Sequence, residues 1–445
     1  MAPLIDATSL LIRRNMPVMT GIDRVEYAIA SWALEAWRLN ELTPTFLINT
    51  RLVRGILLPR KMERLLAASR HVRSLESRPG PMLAHLFTYL TPPSRLDSHE
   101  GAIRLQGAAV SKARPASWMT TIEGLFGRRI DSLSRSGAPL RYVHLSHYGL
   151  QWPERFDWIL RNNIDATFFV HDLIPIDFPD YCSASAHQSH KRKLETIARI
   201  ATRVAVNSED TAYRLRTYLR SEGLRIPSIE TIRLGNGPLT DPAPILPPST
   251  GIQSSGLRPY YVCGGTLEGR KNIPLVIEAW RMLTNRRALK DMPCLVLAGE
   301  RGWSAEGLFR DLDQMRDLSS LVIEVSGLND AEMEILVDHA EAVITPSFAE
   351  GYSLVPAQAM GRGKMTFMSD IAAHRELASG QEELACFFDP RRPDELLELI
   401  ERPRQVLNHA PVQRGWHDFA REILVGGGLS PPYSEAMESI QDAVR

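Results

Sequence analysis

Cysteine is scarce in this chain of 445 residues: Cys182, Cys263, Cys294 and Cys386 lie far apart and form no C-x-x-C pair. That spacing excludes a zinc ribbon or a thioredoxin-like motif and fits a reducing compartment. Net charge is absent too, since 52 Lys+Arg balance 52 Asp+Glu, which argues against a general nucleic-acid binder. No apolar run approaches the roughly 18 residues of a transmembrane helix. Asp6 comes early and no long apolar core precedes Arg13, so no signal peptide is expected. Internal repeats and low-complexity tracts are missing. What the chain does have is length for two or three domains and enough apolar residues, 44%, to bury a large core without disulfides.

Strand and helix patterns alternate on both sides of one break. The break is residues 236–258, NGPLTDPAPILPPSTGIQSSGLR, whose Pro, Gly and Ser content reads as an exposed linker. Before it, Asp165–Val170 reads as a buried strand ending at His171-Asp172, followed by a helical region over 183–200 and a strand at 203–207. Ser208 is placed to cap a helix that starts at Glu209. After the break, strands are expected at 260–263, 293–297, 321–325 and 342–345, with helices at 272–283 and 331–338. This alternation predicts an α/β protein with a doubly wound parallel sheet in each half. Residues 80–134 carry weak signals and are expected to be a variable insertion or mobile loop region.

Basic charge is concentrated near the N-terminus, with sixteen Lys+Arg against six acids between Arg51 and Arg141. Pro59 can open a helix there, with Arg60, Lys61 and Arg64 on one side and Met62, Leu65 and Leu66 on the other. Such a basic amphipathic helix suits an anionic membrane surface. The plainer alternative is a solvated face whose acidic partners lie elsewhere in the fold.

Two segments place chemistry where a strand hands over to a helix. In Thr345–Gln358, TPSFAEGYSLVPAQ, an apolar strand ends in a Pro-Ser turn, a loop carries Glu350 and Gly351, and Pro356 opens a helix. In an open parallel sheet such a loop borders the ligand crevice, and the free N–H groups of a helix start favour an anion such as a diphosphate. Glu350 cannot bind that anion directly, so it is assigned to hydroxyls. Phosphate donors beside a hydroxyl acceptor suggest a sugar nucleotide. The second segment, Gly264-Gly-Thr-Leu-Glu-Gly-Arg-Lys-Asn272, offers glycines for close backbone approach and the adjacent cations Arg270 and Lys271 for a phosphate. Its spacing is neither a dinucleotide fingerprint nor a P-loop.

The first segment resembles the nucleotide-binding signature of family 4 glycosyltransferases, P-S-x-x-E-G-[FY]-x-L followed by P and E-A-M. Pro346, Ser347, Glu350, Gly351, Tyr352, Leu354, Pro356, Ala359 and Met360 match, and Gln358 stands where the family usually has its second glutamate. The second segment resembles the family's G-T-x-x-x-R-K-N loop, whose Arg and Lys hold the donor diphosphate. Val170–Pro175 resembles H-D-x-x-P, in which the histidine bonds a hydroxyl of the reacting sugar. Thr20–Glu26 resembles the N-terminal glycine loop, with Gly21 against the donor phosphates or the acceptor and Arg24 facing the same cleft. Gly299–Trp303 is similar to a loop lining the nucleotide pocket. The resemblance is strong from about 168 to 424 and weak before that, apart from Thr20–Glu26.

The resemblance implies the GT-B architecture, two Rossmann-like domains facing each other across a cleft. Residues 1–240 would bind the acceptor, 256–412 the nucleotide sugar, and 413–445 would cross back to the N-terminal domain. The implied catalytic set is His171, Glu350, Arg270 and Lys271. Donor contacts are implied for Gly21, Gly265, Thr266, Gly299, Gly351, Tyr352, Ser353, Leu354 and Gln358. Family likeness further implies retaining transfer without metal or cofactor, from a GDP- or UDP-sugar (GDP-mannose first) to a lipid-linked oligosaccharide in surface polysaccharide synthesis. The expected location is the cytoplasmic face of the bacterial plasma membrane, in peripheral contact, with no nucleic-acid partner. A glutamine carbonyl at 358 can still accept a ribose hydrogen bond, but the lost charge keeps open a second reading, a catalytically silent GT-B subunit that binds nucleotide or scaffolds a partner enzyme. His171 has a plainer alternative as a buried histidine satisfied by backbone, Arg24 as a surface charge, Ser208 as a helix cap and Trp303 as packing.

Overall fold

Strands that are apolar on both faces need helices on both sides of their sheet, and the computed structural model of this chain supplies them twice. It describes residues 2–16, 19–69, 80–91, 101–106, 140–183, 185–237, 256–402 and 413–426, with isolated positions 119, 120, 122, 125 and 239. Fourteen strands are found among them: β1 Ala2–Asp6, β2 Thr45–Asn49, β3 Arg54–Leu57, β4 Ile103–Gln106, β5 Leu140–His144, β6 Asp165–Val170, β7 Arg203–Val206, β8 Ser228–Thr231, β9 Tyr260–Gly264, β10 Cys294–Ala298, β11 Val322–Ser326, β12 Val343–Thr345, β13 Thr366–Ser369 and β14 Ala385–Phe388. They form two seven-stranded sheets, ordered β3-β2-β1-β5-β6-β7-β8 and β14-β13-β12-β9-β10-β11-β4. Every pairing is parallel except β2 with β3. The α/β reading with a doubly wound sheet in each half therefore holds.

Strand order locates the crevices. In the second sheet the chain runs β9-β10-β11 in one direction and β12-β13-β14 in the other, so the order reverses between β9 and β12. Ligands of open α/β sheets bind beyond the strand ends at such a reversal. The loops there are those following Gly264 and Thr345, the two segments singled out above. In the first sheet the reversal falls between β1 and β5.

The helix Trp416–Val425 packs on the helix Gly21–Arg38, because Trp416, Phe419, Ala420, Ile423 and Leu424 form one apolar stripe that joins the N-terminal core. Most of the expected linker, 238 and 240–255, lies outside the described residues. So does much of the basic stretch and of 80–134.

The described part of 80–134 is built into the second domain. Helix Pro81–Leu90 buries Leu83, Leu86 and Leu90 in the same core as Trp280, Glu332 accepts the Leu83 N–H at 3.1 Å, and the Arg258 N–H donates to Leu90 O at 2.6 Å. Strand β4 extends the sheet beside β11, where Glu324 meets Arg104 at 3.3 Å. The second domain is thus completed by chain from the first half. Its sequence signal is weak because the strand is short and its pairing is non-local.

The helix Pro59–Ala67 forms as expected, but Met62 and Leu66 are buried in the N-terminal core. Only its basic side faces outward, so any lipid contact through it is electrostatic rather than insertion. No helix among the described residues is long and apolar enough to cross a membrane.

Leu86→Ala is expected to weaken the C-terminal domain, although residue 86 belongs to the N-terminal half of the sequence. A fully buried leucine truncated to alanine costs about 2–5 kcal/mol. Hydrogen exchange of the β9–β11 amides should accelerate accordingly. If exchange quickens only in β1, β5 and β6, the assignment of this helix is wrong.

Candidate active site

At the end of β9, Gly265 adopts φ 103°, a conformation open to glycine and costly for other residues. A Cβ at Gly299, at the end of β10, would lie 2.0 Å from Gly265 O, so the two loops touch through backbone. Asn272, left-handed at φ 51°, donates from Nδ2 to Pro346 O at 3.2 Å and Pro390 O at 2.7 Å. Phe348 N–H donates to Arg270 O at 2.9 Å. These bonds lock the Gly264–Asn272 loop to the Thr345–Ser353 loop before any side-chain chemistry is considered.

The locked loops bring Arg270, Lys271 and Glu350 together. Arg270 Nη1 lies 2.8 Å from Glu350 Oε2 and donates to Ala349 O at 2.9 Å. Its Nη2 meets Glu268 Oε1 at 2.7 Å. Lys271 Nζ donates to Glu350 Oε1 at 2.6 Å, and Ser347 Oγ donates to the same oxygen at 2.7 Å. Two carboxylates and two cations balance in a largely covered site, with the Glu350 side chain only 6% exposed. Burial alone would raise the Glu350 carboxyl, but Arg270 and Lys271 outweigh it and hold the group well below the carboxylate range. Burial pushes Glu268 up. Arg270 is held above its ordinary value because Glu350 and Glu268 outweigh its own burial. Glu350 therefore stays ionised at any working pH.

Gly265, Thr266, Lys271 and Ser347 line a hollow of about 220 Å³ at the sheet reversal. A second hollow, of about 400 Å³, lies between the domains, with Phe348 and Glu350 on one wall and Asp172, Asp177, Asp210 and Arg214 on the other. Arg214 joins Asp177 at 3.1 Å and Asp210 at 2.8 Å. Sequence reasoning missed this N-terminal wall. Asp210 and Arg214 are an ordinary i,i+4 pair, and nothing in their spacing says that they meet Asp177.

Ser353 starts the helix Leu354–Gly361 in a left-handed conformation, φ 78°. Buried His374 holds it there. Its Nδ1 lies 2.9 Å from Ser369 O, which can only accept, so Nδ1 carries the proton and Nε2 accepts from Ser353 Oγ at 3.2 Å. Burial lowers His374 to about 4, which keeps the ring neutral in this role.

The signature loop also touches the N-terminal domain. A Cβ at Gly351 would sit 2.1 Å from His171 O, so glycine is needed for the approach. Tyr352 and Leu354 pack against the N-terminal core, and Tyr352 OH donates to Leu234 O at 3.2 Å; burial pushes this hydroxyl up to about 12. His171 donates from Nε2 to Leu145 O at 2.6 Å, which leaves Nδ1 as its acceptor face. Burial lowers its pKa, so it is placed as a neutral ring rather than an acid. Its carbonyl accepts from Asn207 Nδ2 at 2.9 Å.

Gly21 opens the helix Gly21–Arg38 behind a Thr20–Asp23 capping box and faces Leu354. Arg24 pairs with Asp330 across the domains. Gln358 lines a different hollow from Glu350, beside Arg24, Asp330, Glu334 and Arg362. Trp303 is 53% exposed, so it is not packed in the core.

Residues 252–410 match the family model described as Glycosyl transferases group 1, which bears out the resemblance read from the signature loop. The chain is 22% identical over 244 residues to the serotype-specific mannosyltransferase WbdA of Escherichia coli, covering 53% of this chain and 29% of that one. The chain thus spans less than a third of the length of that relative. It is 22% identical over 343 residues to the O-antigen chain mannosyltransferase B of Escherichia coli, covering 71% of this chain and 84% of that one. Among solved structures, Anabaena Alr3699/HepE in complex with UDP-glucose superposes with a TM-score of 0.51 at 13% identity, over 90% of this chain and 88% of that one. The fold is GT-B.

Two outcomes follow from the charge balance and the buried rings. Glu350→Ala strips the carboxylate from Lys271 and leaves Arg270 with Glu268 alone, which costs up to about 3–5 kcal/mol of stability. Inorganic pyrophosphate should restore more of the melting temperature to this variant than it adds to the unmodified protein. An unshifted melting temperature refutes the ion-paired cluster. Separately, His147, His171, His190 and His374 all have pKa values lowered by burial. The unfolded chain takes up their protons first, so stability is full above about pH 7 and falls as pH drops below the ordinary histidine value. His374 alone, moved from 6.5 to about 4, accounts for about 3 kcal/mol by pH 4. A urea midpoint that stays constant from pH 7.5 to pH 5 contradicts this.

Proposed function

We propose that this protein is a retaining glycosyltransferase that moves a sugar from a nucleotide-sugar donor to a lipid-linked oligosaccharide in surface polysaccharide synthesis. The observation that carries the reading is the Arg270–Lys271–Glu350 cluster at the sheet reversal, with His171 held against the same loop. A donor diphosphate seated at the hollow beside Lys271 takes over the two cations, and Glu350 is released toward sugar hydroxyls. The neutral Nδ1 of His171 accepts from another hydroxyl of the same sugar. The mannosyltransferase names of the relatives favour mannose, with GDP-mannose as the first donor to try.

In the transfer, the bond between sugar C1 and the diphosphate oxygen breaks, and the acceptor hydroxyl oxygen bonds C1 on the same face. Its proton passes to an oxygen of the leaving diphosphate. The protein contributes position and charge: Arg270, Lys271 and the start of the Leu354–Gly361 helix stabilise the leaving group, with no divalent metal in the proposal. Peripheral membrane contact rests on Arg60, Lys61 and Arg64 of the Pro59–Ala67 helix and on Arg51, next in sequence to the exposed Leu52. Each basic group near an anionic surface is worth about 1 kcal/mol.

The test is thermal stabilisation by a panel of nucleotides and nucleotide sugars, with and without Mg²⁺. A ligand bound only by the folded state raises apparent stability. One nucleotide sugar should stand out, independently of Mg²⁺, and Arg270→Ala should lower its transfer about 10–100-fold through a lost charge-assisted bond. Stabilisation by none of them sinks the reading, as does an Arg270→Ala variant with undiminished transfer.

A further inference from the structure

Beside the proposed reacting cleft the two domains are joined by a contact that the transfer chemistry does not use. Glu376 lies on the short helix Ala372–Ala378 of the C-terminal domain. Both its carboxylate oxygens accept from the Glu209 N–H at 2.8 Å, and Oε2 also accepts from the Asp210 N–H at 3.3 Å. These N–H groups open the 13-residue helix Glu209–Ser221 of the N-terminal domain. The first N–H groups of a helix have no partner inside it and carry partial positive charge, so a carboxylate from the opposite domain completes them.

The same helix start is tied to the C-terminal domain a second time. Ser208 Oγ lies 2.8 Å from Gly351 O, the residue after Glu350. Asn207, one residue earlier, holds the His171 carbonyl at 2.9 Å. A short path therefore runs from the Glu376 contact along the 207–209 backbone to the Asn207–His171 hydrogen bond, and the 400 Å³ hollow lies between Asp210 on one side and Glu350 on the other. Glu376 is absent from the Arg270–Lys271–Glu350 cluster. What it grips is backbone of the other domain, so the grip exists only when the domains are together.

We propose that Glu376 is a positioning residue, an interdomain clasp whose carboxylate seats on the start of the Glu209–Ser221 helix and fixes the spacing of His171 from Glu350. Loss of the clasp lets the cleft gape and admits water. Water then attacks sugar C1 in place of the acceptor hydroxyl: the same bond to diphosphate breaks, and the products are free sugar and nucleoside diphosphate. The clasp follows from the geometry alone; only its effect on water depends on the transferase reading.

Three full-length variants test it: Glu376→Ala, Glu376→Gln, which keeps one acceptor oxygen, and Arg375→Ala. Arg375 is on the same helix, half exposed and paired with Asp370 at 2.6 Å, and should behave as wild type. By small-angle scattering with saturating nucleoside diphosphate, Glu376→Ala should have a larger radius of gyration than wild type, with Glu376→Gln between them. With the nucleotide sugar found to bind, donor hydrolysis relative to transfer should rise about 10-fold in Glu376→Ala, as expected for a misplaced and wetter site. kcat for transfer should fall and the donor KM should change little. The proposal is overturned if Glu376→Ala melts like wild type, scatters like wild type and partitions like wild type. If Glu376→Ala does not fold, Glu376→Gln decides by the same readouts. If wild type turns over no nucleotide sugar, the transferase reading fails, and scattering still decides the clasp.

Discussion

Two largely covered cations beside a sheet reversal need a counter-charge, and much of the C-terminal architecture serves to provide one. Arg270 and Lys271 follow β9, Glu350 follows β12, and the reversal of strand order makes these ends neighbours. The backbone bonds between the two loops then leave the side chains little freedom. An unpaired charge in so covered a place costs several kcal/mol, so in the empty cleft the carboxylate and the cations hold each other. A diphosphate offers the cations the same service with more negative charge. In the proposed transferase, the exchange of one anion for the other would be the means by which donor binding turns Glu350 toward the sugar.

The site is assembled by contact between domains as much as within them. Gly351 allows the signature loop to press on His171, and Tyr352 and Leu354 from that loop pack against the N-terminal core. The chain from the first half returns the favour, since Pro81–Leu90 and β4 complete the second sheet and its core. The C-terminal helix Trp416–Val425 packs on the first domain. Each domain thus carries a piece of the other's sequence, which ties their relative position to their stability.

Legibility in the sequence followed the range of the interactions. The two loops could be read because strand, glycine-bearing turn and helix start are local patterns, and because their residue types matched a signature. The alternation of strands and helices after 165 was readable for the same reason. Less local facts were hidden. Glu350 was assigned to hydroxyls on the argument that an anion avoids an anion; the structure adds that its present partners are Arg270 and Lys271, contributed by a loop some eighty residues away in sequence. Helical spacing showed an amphipathic helix at Pro59 but not which way its apolar side would turn, and Met62 and Leu66 turn inward. The neutral state of His374 and its hold on Ser353 depend on complete burial, which no local pattern reports.

The central claim is that Arg270 and Lys271 serve the diphosphate and Glu350 serves the sugar. Calorimetric titration of Glu350→Gln with a nucleoside diphosphate and with the matching nucleotide sugar tests it most directly. The account predicts that the diphosphate binds the variant at least as tightly as it binds the unmodified protein, because a competing charge has gone, while the extra affinity given by the sugar disappears. A variant that loses diphosphate affinity and keeps the increment from the sugar would contradict it.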